Sequence, residues 1–565
     1  MLLRACRGAL LGSPVADDFA FLYRIAFQHP LDLLDSMGAT FYWRPVSRQL
    51  YFSLVGGAVL ARPWVASAVN AALLLALGAL LYRIARRGMA PPVAAAIALF
   101  PLLAEPARAL LAWPSGAQHL LAAVGAALAL HEALAGRRVT AAAAALAGVL
   151  SHESAALVLP GLPLVAWFRT RDRRETALWA GAAAAVAALW MAGYAIARHH
   201  GVAMPPRVGG LSLIGRLPRL LLLALTATLN LEEAPSDVYL TVVLGTLALI
   251  AIAVVLIVRG HRVRATAKAV GPAALWFAVG ILPLAVLLPD WNAWRAFVPT
   301  VGLGFALTAL LGAGSSWLAA GFVVLRLVAL LNSMAAPAVV WPGPPPTASH
   351  MSFPRIARLQ RIVESTRREM ERVHPRLEPG SSVRYWSLPR MAEVGYMESR
   401  ALRVWYRDTT LAWARFGGNP GLKTRVDALV EFSKGEPFPA YVIEPDALRL
   451  YLAGSAAMME NRYVTGESLM VASGLAHHRN GSFRGVLARN RAFMAYNQKR
   501  YGLADSLALI SARINDDDPE AWAMAAATAY AAGDSARAAV AVRRALTIDP
   551  QNAFGLRVAK ALRIP

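Results

Sequence analysis

The sequence predicts an all-α polytopic membrane domain, then a soluble α+β linker region, then a C-terminal array of α-helical hairpins. Three observations predict it. Hydrophobic residues make up 57% of the chain and charged residues only 16%, against about 25% charged in ordinary soluble domains. The deficit is uneven: residues 63–341 are long Ala/Leu/Val runs, whereas 350–565 has the composition of a soluble protein. Basic residues sit in short clusters between the apolar runs, as at Arg83, Arg86 and Arg87, the pattern of cytoplasmic loops.

A membrane-spanning helix needs about 20 apolar residues. The candidate spans are 63–85, 91–111, 115–135, 139–168, 175–197, 237–258, 268–289, 296–313 and 317–341. Segment 139–168 has Ser151-His152-Glu153 at its middle and arginines at both ends, so a hairpin of two short helices fits it better than one span. Arg216, Pro218 and Arg219 interrupt 211–230, which reads as re-entrant or interfacial. The stretch 49–61 is too short to cross and is expected along the interface.

Placing the basic clusters in the cytoplasm fixes the rest. The Asp17-Asp18 loop, Arg44-Pro45, Ser151-His152-Glu153 and Asn292 to Arg295 all fall on the outer face, and the chain leaves the membrane outside at Trp341. The regions are therefore 1–62, an outer-face loop with interfacial helices; 63–341, the multi-span domain; 342–484, an extracytoplasmic linker; and 485–565, the hairpins. The Pro-rich run from Trp341 to Pro346 is a stiff exit. Residues 353–373 form an amphipathic helix rich in arginine, read as a solvated basic helix on lipid headgroups. Short β-like runs at Ser382–Ser387 and Ala440–Ile443 suggest the α+β character of the linker.

The tail carries a repeat. Pro519-Glu-Ala-Trp522 opens a helix, Gly533-Asp534 makes a turn, Ala538 and Ala545 are small residues on the second helix, and Asp549-Pro550 closes it. This is the tetratricopeptide spacing, in which small residues let paired helices cross closely. A weaker copy has Ala492, Tyr496, Ala504 and Ser511 at the equivalent places. No third copy is visible, so helices around 460–484 are expected to cap the array.

The net charge of +23, from 57 Lys+Arg against 34 Asp+Glu, would suit nucleic acid in a soluble protein. Dispersed between spans it forms no continuous basic surface, and a nucleic-acid partner is excluded. The single Cys6 rules out an intrachain disulfide. Residues Met1 to Pro14 lack the apolar core and cleavage site of a leader, so none is expected. Heavy Arg/Ala/Gly/Pro usage suggests a bacterial, GC-rich source. No P-loop, GxGxxG, HExxH or cysteine-based metal motif is present, which leaves ATP-driven chemistry without support.

Five features are candidates for chemistry. Asp17 and Asp18 could act as a base or hold a divalent cation, or simply be a solvated pair or helix cap. Arg44, with Arg48 four residues on, could clamp a phosphate, or anchor at the interface beside Tyr42 and Trp43. His152 and Glu153 are ionisable residues in an apolar hairpin, which are costly and usually functional, or form a solvated tip. Glu105 has the same logic at a helix end broken by Pro106. Arg295 enters a span from the outside, against the charge bias, and either binds an anion or snorkels to headgroups.

Taken in order, these residues resemble the GT-C superfamily of membrane glycosyltransferases, and more narrowly bacterial relatives of protein O-mannosyltransferases and the animal transmembrane-plus-tetratricopeptide O-mannosyltransferases. The resemblance lies in the acidic pair Asp17-Asp18, the Arg44-Pro45 after an aromatic run, Ser151-His152-Glu153 leading to Pro160, Arg295 with Pro299, Gly302 and Gly304, and the closing repeats. It implies a GT-C-like membrane domain and an inverting enzyme that moves a sugar from a polyprenyl-phosphate carrier to a protein or glycan acceptor. It further implies Asp17 or Asp18 as base, Arg44 and Arg295 on the lipid phosphate, and Arg48, Glu105, His152 and Glu153 lining the site. No cofactor is demanded; a divalent cation stays open. Lipid is the surrounding partner, and the expected place is the bacterial cytoplasmic (inner) membrane with the C-terminal domain outside. The sequence departs from such relatives in having His152 where lysine is more frequent. It departs again in having only about a dozen residues before Asp17, where relatives have a full span. The alternative is a non-catalytic membrane scaffold whose repeats bind a protein.

Overall fold

A computed structural model describes residues 2–28, 31–37, 41–202, 215–333, 351–389, 391–416, 425–433, 438–477, 479 and 481–563. The exit run 341–346 lies outside them. The chain divides into two compact units, Met1–Arg361 and Ile362–Pro565.

The first unit is helical. Among the described residues, six of its helices are long and apolar enough to cross a membrane: Trp64–Ala85, Pro114–Leu134, Arg173–His199, Ser236–Arg259, Val263–Val286 and Ala293–Gly314. The pair Pro91–Leu102 and Glu105–Ala112 would make a seventh span, bent by 52° at Leu103-Ala104. Segment 139–168 is two short helices, Arg138–Ser151 and Val158–Thr170, broken at His152 by a 3-10 turn over Glu153–Leu157. The described part of the interrupted segment near 211–230 forms the short helix Leu217–Leu229, which Asn230 ends in a left-handed conformation (φ 63°). The last apolar segment gives Ser316–Asn332.

Small residues set the packing. The core between Ala117–Leu134, Arg138–Ser151, Val158–Thr170 and Arg173–His199 is largely alanine, with the fully buried Trp179 filling one side. Where Ala117–Leu134 crosses Arg138–Ser151, a Cβ on Gly125 would stand 2.7 Å from the Gly148 Cα. Such close approach lets apolar helices gain dispersion contact along their crossing.

The helix Phe353–Val373 corrects the expectation of a solvated basic helix. Arg355 is 3% and Arg358 8% exposed, and Ile356, Ala357 and Leu359 are buried beside them. The cause is a polar clasp at Gln360. Its Nε2 donates to the carbonyls of Ser13 (2.9 Å) and Ala112 (2.8 Å), and its Oε1 accepts from the Leu10 N–H (3.1 Å). A charge-rich stretch that reads as solvent-facing is thus enclosed along its first turns.

The second unit opens with a four-stranded sheet in the order β2-β1-β3-β4: β1 Ser382–Trp386, β2 Ala412–Arg415, β3 Ala428–Phe432 and β4 Ala440–Val442. β1 runs parallel to both β2 and β3, and β4 pairs antiparallel to β3. β3 is buried along its whole length, as a central parallel strand should be.

Buried on β3 is Glu431. Its Oε2 accepts from the Phe483 N–H (2.5 Å) and its Oε1 meets the His477 Nε2 (3.3 Å), while the His477 Nδ1 meets Glu444 (2.6 Å). Burial by itself would lower the imidazole, but the two carboxylates outweigh it and hold His477 above its ordinary value. A raised folded value means that the protonated form stabilises the fold fully below about pH 6.5. That contribution fades as pH climbs through the raised value. The unfolding midpoint of this unit should therefore fall on the alkaline side of neutrality in the native chain, and His477→Gln should flatten that dependence while lowering the midpoint throughout. Thermal unfolding followed across pH 6–9 checks it; a profile unchanged by the substitution refutes it.

Helical hairpins complete the unit: Pro445–Met459 with Tyr463–Ala476, Ser482–Asn497 with Tyr501–Ile514, and Pro519–Ala531 with Ser535–Ile548, followed by Ala553–Ala561. Ala492, Ala504, Ser511, Ala538 and Ala545 are all buried at the helix crossings. Asp518, Asp534 and Asn552 cap the helices after them by accepting backbone N–H groups. Around 460–484, where helices capping the array are expected, the chain forms a further hairpin, Pro445–Met459 with Tyr463–Ala476. Its concealment has a cause. The tight turns place Asn461 (φ 60°), Lys499 (φ 61°) and Gly533 (φ 89°) in the left-handed region, and only the last uses glycine, the residue that signals such a turn. Lys499→Gly should accordingly stabilise the array by roughly 0.5–1 kcal/mol, read as a rise in the unfolding midpoint.

Candidate functional site

The site assembles on the helix Asp17–Phe27, the π-turn Val46–Leu50, the head of the span Pro114–Leu134, the break after Ser151 and the turn Ala293–Ala296. Asp17 and Asp18 open their helix side by side and face different surroundings. Asp18 is fully buried. One oxygen accepts from the Val15 N–H (2.8 Å), and the other accepts from the N–H (2.9 Å) and the hydroxyl of Ser115. Burial pushes its carboxyl up to about 7, against the hydrogen bonds that favour the charged form. With its lone pairs so engaged, Asp18 staples the acidic helix to the Ser115 turn, and its expected role as base is corrected. Asp17 is exposed and close enough to Arg48 for their charges to interact.

Below Asp17 lies a layer of buried charge. Arg44 forms a fork on Glu153, with Nε to Oε2 at 2.9 Å and Nη2 to Oε1 at 2.5 Å, and its Nη1 donates to Gln118 Oε1 (3.0 Å). Arg48 donates from Nε to the same Gln118 oxygen (3.2 Å) and from Nη1 to the carbonyls of Ser36 (3.3 Å) and Tyr42 (3.2 Å). Burial first, and the Arg44 charge next, bring the Arg48 guanidinium down to about 9, so it stays cationic at neutral pH. Ser47 ties the same turn to the Ser151 carbonyl (2.6 Å). Arg44 therefore enters any phosphate contact with a carboxylate already on it, which qualifies its expected part as a lone phosphate clamp.

Beside this layer the His152 ring packs against His119, tilted by 43° with centroids 4.2 Å apart, and His119 meets Trp294 edge-on with centroids 4.9 Å apart. Trp294 is anchored by its Nε1 to the Met351 carbonyl (2.7 Å) and packs on Trp113 at 5.6 Å. Arg295 lies over the Trp294 ring at 5.3 Å and near enough to both imidazoles for its charge to bear on them. Asp17, Arg44, Arg48, His152, Glu153 and Arg295 are thus brought into one neighbourhood.

Glu105 is not part of it, which corrects its expected place. Its carboxylate accepts from the N–H groups of Glu232 (3.0 Å) and Glu233 (3.1 Å) and pairs with Arg108 (3.0 Å). Arg108 also binds Glu233 at 2.6 Å. The Glu105 N–H itself donates to Asn230 (2.7 Å). This knot satisfies the backbone groups exposed where the helix breaks. In the loop between Leu217–Leu229 and Ser236–Arg259, burial pushes Glu232 up to about 8 and Glu233 up to about 7.

Among the described residues no group of three or more His, Cys, Asp or Glu side chains is placed to hold a metal ion.

Comparison with known proteins adds little to this geometry. No protein-family model matches the chain, and no curated protein matches it in sequence. Solved structures similar in part include an Arabidopsis OM64 tetratricopeptide domain, with 19% identity over 21% of this chain and 94% of that one, at a TM-score of 0.20. The first tetratricopeptide domain of Spaghetti (RPAP3), bound to an HSP90 peptide, has 20% identity over 21% and 94%, at 0.19. The Cut9-Hcn1 hetero-tetramer of the APC/C has 13% identity over 92% and 90%, at 0.20. Superpositions this loose add no weight to the repeat assignment, which stands on the hairpins, turns and caps described above. The C-terminal part is a tetratricopeptide-like helical array.

Sequence reasoning missed Ser115, Gln118, His119 and Trp294. One signal could have found two of them. Gln118 and His119 are a polar pair at the head of an otherwise apolar span, and such residues are costly in a membrane unless they face a polar interior.

Proposed function

We propose that the chain is a membrane glycosyltransferase, resembling the GT-C superfamily, which moves a sugar from a polyprenyl-phosphate carrier to a protein or glycan acceptor. On this reading it resides in a bacterial inner membrane, works on the extracytoplasmic face, and uses its C-terminal hairpins to recruit the acceptor. One observation supports it above the rest: exposed Asp17 sits over a buried cationic layer whose members come from segments far apart in sequence. Charge so concentrated is expensive to assemble for stability alone.

In the proposed step Asp17 takes the proton of the acceptor hydroxyl. The oxygen attacks the anomeric carbon opposite the carrier, the bond from that carbon to the phosphate oxygen breaks, and the phosphate leaves with the electron pair. Arg48 and Arg295 offset the charge that grows on that phosphate, the kind of preorganised stabilisation that dominates many enzymes. Glu153 holds Arg44 in place as a positioning residue.

The second reading is a membrane-anchored scaffold whose repeats bind a protein. The self-satisfied Arg44–Glu153 fork and the fully bonded Asp18 favour it, since both serve a stable core without substrate. The purified chain in lipid nanodiscs, given a panel of polyprenyl-monophosphate hexoses and pentoses with peptide and glycan acceptors, separates the two. Transfer of labelled sugar supports the enzyme. A folded protein that transfers none of them supports the scaffold.

A further inference from the structure

His119 is a buried group that nothing above uses. It lies in the first turn of Ala117–Leu134, is 4% exposed, and among the described residues its Nδ1 has no hydrogen-bond partner. An unpaired buried polar atom costs about 1–3 kcal/mol, so native structures rarely keep one without a purpose. The ring cannot easily turn to find a partner, being held between His152 at 4.2 Å and the anchored Trp294 at 4.9 Å. His152 is itself oriented: its Nδ1 accepts from the Ser154 N–H (3.1 Å), which leaves the proton on Nε2 and makes that edge a donor. The Ser154 hydroxyl, beside it, is buried and likewise lacks a partner. Around these groups stand Arg44, Arg48 and Arg295 against the carboxylates of Glu153 and Asp17, an excess of positive charge.

Unsatisfied imidazole and hydroxyl groups in a cationic, aromatic-walled surrounding suit an oxyanion with several acceptor oxygens. We infer that His119 is a phosphate-contacting residue, whose Nδ1–H donates to a phosphate oxygen of the ligand while Arg295 supplies charge. The inference rests on the glycosyltransferase reading for the source it names, the phosphate of a polyprenyl carrier; free phosphate shares the chemistry and is told apart below.

The two amide substitutions are positional tests. An asparagine amide reaches about where the imidazole Nδ1 sits, whereas a glutamine amide reaches about where Nε2 sits. The full chain in phosphatidylcholine nanodiscs is titrated with farnesyl monophosphate, farnesol and inorganic phosphate, and binding is read by microscale thermophoresis. Farnesyl monophosphate should bind more tightly than farnesol. His119→Gln should weaken the phosphate-bearing probe roughly 10- to 100-fold, the loss of one hydrogen bond to a charged group, and leave farnesol unchanged. His119→Asn should stay near the native affinity. Arg295→Gln gives an independent loss with His119 intact, should His119→Gln fail to fold. Inorganic phosphate that competes as well as farnesyl monophosphate would assign the site to free phosphate. Farnesol binding as tightly as its phosphate, or a folded His119→Gln binding farnesyl monophosphate like the native chain, overturns the inference. Intact, His119-dependent binding with no sugar transfer by the native chain would sink the enzyme reading and spare this one.

Discussion

Asp17→Asn is expected to lower sugar transfer by about 10²- to 10⁴-fold, the range for loss of a positioned general base, with the unfolding midpoint unchanged. The side chain is exposed, so no buried contact is lost. Its neighbour provides the internal control. Asp18 accepts from Val15 and Ser115 while fully buried. An asparagine there turns an NH₂ toward a backbone N–H on one side or toward the Ser115 donors on the other. Asp18→Asn should therefore cost roughly 1–3 kcal/mol of stability, and any fall in transfer should track the folded fraction. Side-by-side transfer assays and thermal melts check both. Equal transfer by Asp17→Asn and the native chain would remove Asp17 from the mechanism.

Glu153→Gln is expected to destabilise the first unit by roughly 2–4 kcal/mol, toward the lower end of what breaking a buried ion pair costs. The discount follows from geometry: the Glu153 side chain is 39% exposed, whereas Arg44 is only 9%. The asymmetry makes a sharper test. Removing the carboxylate leaves two buried guanidinium groups, Arg44 and Arg48, that share one neutral oxygen of Gln118. Removing Arg44 instead relieves their repulsion and leaves Glu153 a half-open side chain. Arg44→Gln should thus cost less than Glu153→Gln, and the double substitution should cost less than the sum of the two. Unfolding of the purified protein by detergent titration measures all three. Equal single costs that simply add would mean the fork is not coupled to Arg48.

Much of the fold was legible because hydrophobic length and small-residue spacing are local signals. The break at Ser151-His152-Glu153 and the bend beside Pro106 could be read from charge and proline placement, and both occur. The buried layer of the site was only half visible. Arg44, Arg48 and Glu153 stand out because ionisable residues are rare among apolar runs, but which oxygen each would meet depends on how the helices pack. Glu105 looked like Glu153 for that reason. Its Pro106 neighbour correctly marked a broken helix end, yet the N–H groups that needed an acceptor belong to Glu232 and Glu233, over a hundred residues on. Asp17 and Asp18 are indistinguishable in sequence. Only the helix start, which turns one toward Ser115 and the other toward solvent, separates them. The first hairpin of the array escaped notice because Asn461 takes a turn that glycine would have announced.

Asn230, described above as the residue that ends Leu217–Leu229, also bears on how the protein is made. Its side-chain oxygen is approached by Arg326 Nη2 (3.3 Å), and Arg326 reaches the carbonyls of Thr228 (2.8 Å) and Phe100 (3.1 Å) while lying flat on the Phe100 ring at 3.7 Å. An arginine near the middle of a span opposes insertion by about 2.5–3.5 kcal/mol when the helix is alone. Every acceptor named for Arg326 is synthesised before it. On the membrane reading, Ser316–Asn332 therefore settles into the bilayer late, against a receptor formed by the helices already inserted, and a ribosome that releases a chain lacking residues 217–230 would leave that last span stranded at the surface.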